Sequence, residues 1–268
     1  MTNAYLRSLI ALASAFTMIT PMAHAESIAS ARYDTPVTHY GHFAAGRPHE
    51  YARLTVTTNT GRQLVLELPD SEVFEDVAPR LVRLSGQGAL EILTIISARA
   101  SGARLALVGL AGNRLEIVAN SPAIGTPMRW MNPVGVADLD GDGHAEIAAV
   151  TTPHIGGTLR VYRRAGNELV QVASLAGFSN HVYGSPDLRL SLAHAIDGQM
   201  RLLVPDNPRT TLRIVELRAG SLVETGRCPL RAPVTGALTA ISANQISVGL
   251  ADGPALVDLR ACASAPKR

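Results

Sequence analysis

The densest chemistry in the sequence is Asp138-Leu139-Asp140-Gly141-Asp142-Gly143-His144-Ala145-Glu146. Carboxylates at alternate positions can turn toward one point where glycines let the backbone curl. The all-oxygen cage that results suits a hard cation needing roughly six to eight ligands. Asp138, Asp140 and Asp142 are the expected side-chain ligands. His144 is expected to give its backbone carbonyl, because an imidazole nitrogen is a poor calcium ligand, and Glu146 closes the cage from the next strand. One structural calcium is the expected cofactor. An EF-hand would need a bidentate Glu at loop position 12 and a helix on each side. That position holds Ala149, and residues 146–150 read as a strand.

Other groups could do chemistry if the fold brought them together. His39, His42 and His49 crowd one segment, but Gly41 and Pro48 deny it the helical turn on which His-Glu-x-x-His zinc sites are built. The expectation there is surface and strand-edge histidines. Arg129, His154, Asn180 and His181 fall in connections around the acidic loop and form a possible ligand face. Trp130 is expected between packed sheets. Glu72, Glu75 and Asp76 could meet other groups in space. No Gly-x-Ser-x-Gly elbow, Walker loop or dinucleotide fingerprint is present.

The elements that must position these residues are repeated. Ala165-Gly166-Asn167-Glu168-Leu169-Val170 echoes Ala111-Gly112-Asn113-Arg114-Leu115-Glu116 from 54 positions earlier, and Ala219-Gly220-Ser221-Leu222-Val223 echoes both. Each follows a segment of alternating polar and apolar residues, as a half-buried strand should. Gly-rich turns separate the runs. A period of about 50 residues with several short strands per unit indicates a propeller or solenoid. Four antiparallel strands joined by tight turns make one blade. Blades are expected near 78–120, 131–173 and 184–226, with further strands near 33–68 and 234–262. The fold expected is all-β, a β-propeller-like repeat domain over 26–268 with about five blades.

The acidic loop, followed by the apolar run Ile147-Ala148-Ala149-Val150, resembles the calcium loop of FG-GAP/VCBS repeats of integrin-like β-propellers. Their pattern is Asp-x-Asp-Gly-Asp-Gly-x-x-Asp/Glu between two strands of a blade. The stretch 134–173 covers one such repeat, with Glu146 in place of the commoner Asp. The resemblance implies an exported bacterial propeller protein. The 78–120 repeat keeps only Glu91 and puts Arg83 and Ser85 at ligand positions, and the 184–226 repeat keeps only Asp197-Gly198. One occupied site is therefore expected.

Residues 1–25 read as a signal peptide: Arg7, then an apolar run broken by Pro21, then Ala23-His24-Ala25. No membrane span is expected once it is cleaved, and the location is periplasmic or secreted. Cys228 and Cys262 are the only cysteines and are expected to pair in an oxidising compartment. A formal net charge of +2 gives no electrostatic case for nucleic acid. With no catalytic motif, the expectation is a non-catalytic binding or scaffold module for an unknown protein or glycan. The alternatives are a hydrolase of an envelope polymer or phosphoester, and a structural subunit of an envelope complex.

Overall fold

The computed structural model describes residues 26–86 and 88–264; the expected export segment, 1–25, lies outside them. The described residues form strands, turns and loops. The first group is β1 (Ile28–Pro36), β2 (Tyr51–Thr58) and β3 (Gln63–Glu67), with β2 in the middle. The second is β4 (Glu72–Phe74), β5 (Arg80–Val82), β6 (Glu91–Ala98), β7 (Gly102–Ala111) and β8 (Arg114–Asn120). There β4 and β5 pair with the two halves of β6, as one first strand broken at 75–79.

The third group, β9 (Met131–Ala137), β10 (Glu146–Thr151), β11 (Gly157–Ala165) and β12 (Glu168–Phe178), is an unbroken antiparallel meander. So is the fourth, β13 (Leu192–Ile196), β14 (Gln199–Pro205), β15 (Thr211–Arg218) and β16 (Ser221–Pro229). The last is β17 (Val234–Ser242), β18 (Gln245–Leu250) and β19 (Gly253–Asp258). A short β20 (Ala263–Ser264) returns to the edge of β16. Single residue pairs, Tyr51 with Phe74 and Asn120 with Glu168, stitch the first three groups edge to edge.

The all-β, β-propeller-like expectation is met. Meandering sheets follow one another and pack face to face through alternating apolar positions. Four hydrophobic clusters lie between successive sheets. Leu54, Val56, Ile92 and Val108 join the first and second. Leu93, Leu105, Met131 and Ile147 join the second and third. Val150, Val161, Val204 and Val215 join the third and fourth, and Leu203, Ile214, Ile246 and Val248 the fourth and fifth. The repeated turns are structurally equivalent. Gly112, Gly166 and Gly220 each close the hairpin between the third and fourth strands of a sheet, with φ of 60°, 64° and 74°. Only glycine adopts that left-handed backbone at no steric cost.

Cys228 and Cys262 form the expected disulfide, which ties β20 to β16. Among the described residues, no helix is long and apolar enough to cross a membrane.

The connection from β1 to β2, residues 37–50, leaves the first sheet and runs into the core between the second and third. Ala44 and Ala45 are fully buried there beside Trp130 and Leu93. The Gly184 N–H donates to the Ala44 carbonyl at 2.8 Å. A Cβ on Gly46 would lie 2.6 Å from the Gly184 carbonyl oxygen, so this crossing requires glycine. The segment acts as a plug linking the first sheet to the connection between the third and fourth.

Candidate functional site

The β10–β11 turn and the 179–191 connection lie at the plug end of the sheets, and the acidic loop between β9 and β10 lies at the opposite end. Each end holds a set of charged groups.

At the acidic end, hairpin pairing delivers Glu146 to a fully buried position at the start of β10. Asp138 turns inward to accept backbone N–H groups from Gly141 at 2.7 Å, Asp142 at 3.1 Å and Gly143 at 2.9 Å. Glu146 Oε2 accepts from the Leu139 N–H at 2.9 Å. One carboxylate oxygen each from Asp138, Asp140 and Glu146 lies within 4.8 Å of the others. Asp142 stands further out and accepts from the His144 N–H at 2.8 Å, and His144 is exposed on the turn.

The sequence reading missed Arg163. Its guanidinium reaches Glu146 Oε1 at 2.7 Å and Asp140 Oδ2 at 2.5 Å. Those bonds hold its pKa above the ordinary value. The register was the available signal: Ile147 pairs with Tyr162, so Glu146 falls beside Arg163 across the hairpin. The oxygen donors suit a hard cation, and Arg163 already supplies positive charge where one would sit. In the second sheet Glu91, the counterpart of Glu146, is likewise bonded to an arginine, Arg164 of the neighbouring sheet.

At the other end the break between β4 and β5 turns Glu75 into the core. Its carboxylate is fully buried, and burying a charge is costly unless partners compensate it. Here Ala44 N–H donates to Oε1 at 3.0 Å, Ser97 Oγ donates to Oε2 at 2.6 Å, and His42 Nδ1 lies 2.8 Å from Oε1. Trp130 Nε1 donates to the Glu75 carbonyl at 2.9 Å. Glu50, also fully buried, accepts three plug N–H groups, from Gly41, His42 and Phe43, at 2.7–2.9 Å. That cradle fixes the backbone of His42. Tyr40 is buried beside them, its phenol pushed up to about 12 by burial and the charge of Glu75.

An aromatic group adjoins this pair. His154 stacks on Trp130, and Tyr183 meets the rings of both His42 and His154. His154 Nε2 and His181 Nδ1 are 2.8 Å apart, and His181 Nε2 is 2.8 Å from the Ser185 carbonyl. A carbonyl can only accept, so Nε2 of His181 carries its proton and Nδ1 accepts from His154. Burial pushes His154 down to about 3, with His181, His42 and Arg209 adding in the same direction. Burial likewise pushes His181 down to about 4, against the Ser185 carbonyl, which favours the charged form.

Of the expected ligand face, His154 and His181 meet. Asn180 is fully buried and clamps Asn132 O and Ser191 Oγ. The Arg129 guanidinium turns onto the carbonyl of Met128. The three histidines of the plug separate: His39 is exposed, His49 lies against Tyr51, and His42 alone joins the buried carboxylate. Glu72 pairs with Arg104 and Asp76 with Arg80. Trp130 is buried, as expected.

No family model matches the chain, and neither does any curated protein. Among solved structures, the chain is similar to one described as a "putative 6-phosphogluconolactonase" from Bacteroides fragilis NCTC 9343. The identity is 15%, the match covers 82% of this chain and 69% of that chain, and the TM-score is 0.42. The expectation of a non-catalytic binding or scaffold module is corrected here. At the plug end carboxylate, imidazole and phenol groups meet one another.

Proposed function

We propose that the chain is a hydrolase whose working groups lie at the plug end, with His42 as general base and Glu75 as the residue that orients it. The observation that carries this reading is the 2.8 Å approach of His42 Nδ1 to the buried carboxylate of Glu75. A carboxylate this close to Nδ1 favours the tautomer with its proton there, although the ring N–H is not aligned on the carboxylate as a hydrogen bond, and that tautomer leaves the Nε2 lone pair for chemistry. In the step proposed, water gives a proton to Nε2 and its oxygen to the electrophilic carbon or phosphorus. The imidazolium then returns that proton to the leaving oxygen. Positioned proton transfer of this kind contributes roughly 10²–10⁴-fold in rate. The test is turnover of a phosphomonoester, an aryl ester and a lactone. His42→Gln should cut kcat about a hundredfold while the thermal midpoint holds. A wild-type chain inert on all three, or a variant as fast as wild type, would overturn the assignment.

The acidic loop is read as a calcium staple of the FG-GAP/VCBS kind, with Asp138, Asp140, Asp142, the His144 carbonyl and Glu146 as donors. Calcium would have to displace Arg163 from Asp140 and Glu146. Support comes from the hard-oxygen donor set and its closeness. The disulfide supports an oxidising compartment, and export to the periplasm or beyond is the location that fits it.

A further inference from the structure

Arg209 occupies the β14–β15 turn at the plug end, half-buried. Its Nε donates to the Val234 carbonyl and its Nη1 to Ser179 Oγ, both at 3.1 Å. These bonds fix the guanidinium through Nε and Nη1. Among the described residues no carboxylate pairs with it, whereas the arginines along the sheets are mostly ion-paired, as in Arg104 with Glu72, Arg201 with Glu216 and Arg213 with Glu224. The nearest acid in sequence, Asp206, is spent on the Thr210 and Thr211 N–H groups.

Arg209 has φ of 60° and is one of seven non-glycine residues with a left-handed backbone among the described residues. Ser179, whose Oγ accepts from Arg209, lies two residues before His181, and the Tyr183 ring meets those of both His42 and His154. The guanidinium and the proposed base therefore flank the same imidazole pair.

We infer that Arg209 is the anion-recognising residue of this face, so that the substrate carries a phosphate or carboxylate group. A fixed, partly desolvated guanidinium without a carboxylate is matched by a planar or tetrahedral oxyanion, which its fork engages through paired N–H groups. Ser179 and Val234 hold the guanidinium in place before the ligand arrives. The inference takes its working face from the hydrolase proposal, but binding is measurable without turnover.

The experiment is titration of the full chain, with ¹⁵N-labelled arginine, by inorganic phosphate and separately by gluconate, with glucose as the neutral control. The expected result is a saturable shift of the Arg209 side-chain resonances with at least one anion, none with glucose, and no change at ion-paired Arg213. Response to phosphate alone or to gluconate alone identifies which oxyanion the site takes. Arg209→Gln should weaken binding tenfold or more, and Arg231→Gln, at the exposed pair with Asp252, should leave it intact. Should Arg209→Gln fail to fold, the wild-type titration still decides. An Arg209 signal unmoved by both anions, or a folded Arg209→Gln that binds them as wild type does, overturns the inference. Anion binding at Arg209 in a chain that hydrolyses nothing would keep this assignment and remove the hydrolase reading.

Discussion

Acidification should destabilise the protein through the buried imidazole pair, and the size of the effect can be worked from His181. This ring is fully buried, with Nδ1 committed to His154 and Nε2 to the Ser185 carbonyl. Its pKa falls from an ordinary 6.5 to about 4 on folding. A group whose folded pKa is depressed lends its stability above the unfolded value and loses it as pH falls toward the folded one. Between pH 7.5 and pH 5 the unfolded chain takes up the proton and the folded chain does not. The linkage integral over that window is about 2 kcal/mol, from roughly 1.4 kcal/mol per pH unit once the unfolded histidine titrates. For a chain of this size, that corresponds to about 4–8 °C in thermal midpoint. His154 is more exposed and adds less, because solvent screens it. The assay is thermal unfolding followed by circular dichroism at both pH values, for wild type and for His181→Gln, which keeps a hydrogen-bonding side chain but cannot titrate. The variant should lose at least half of the wild-type drop. An equal drop in both proteins would refute the argument.

Two other outcomes are expected. Millimolar calcium should raise the thermal midpoint relative to EGTA; Asp140→Ala should abolish that rise, and Arg163→Gln should enlarge it by removing the competing cation. No calcium shift in either the wild type or Arg163→Gln would sink the staple. Cys228→Ser should cost about 3–4 kcal/mol on the chain-entropy model for a link across 34 residues, read as a lower midpoint in urea, and a change under 1 kcal/mol would contradict it.

What the sequence made legible was local. The Ala-Gly-Asn turns and the alternating strands before them reveal the repeat because a hairpin's register and its turn glycine are encoded within a dozen residues. The Asp138–Glu146 loop is legible for the same reason. Arg163 was one inference away, hidden by treating the loop apart from the strand opposite. The plug-end group was not legible. His42 meets Glu75 only because residues 37–50 leave one sheet for the core of the next, and nothing in Gly41, Pro48 or the spacing of the histidines encodes that path. Glu50 resembles an ordinary polar residue ahead of a strand. Its role depends on three N–H groups that converge only once the chain has doubled back. Asn180 misled for the opposite reason, since a polar residue in a connection is usually solvated, and this one fastens its own connection to β9 from within.

The plug also bears on how the molecule comes apart. Sheets stacked in sequence, each packed mainly on its neighbours, behave as a one-dimensional array in which a terminal unit can open while the others stay folded. Among the described residues, none of the four hydrophobic clusters joins the first sheet to the last. The 37–50 crossing breaks the nearest-neighbour rule, because opening the first sheet pulls Ala44 and Ala45 out of the core between the second and third and strips Glu75 of a partner. The amino-terminal sheet should therefore exchange its amide hydrogens together with the middle of the array, while the carboxy-terminal sheet, fastened to its neighbour by β20 and the Cys228–Cys262 disulfide, should exchange with the fourth sheet.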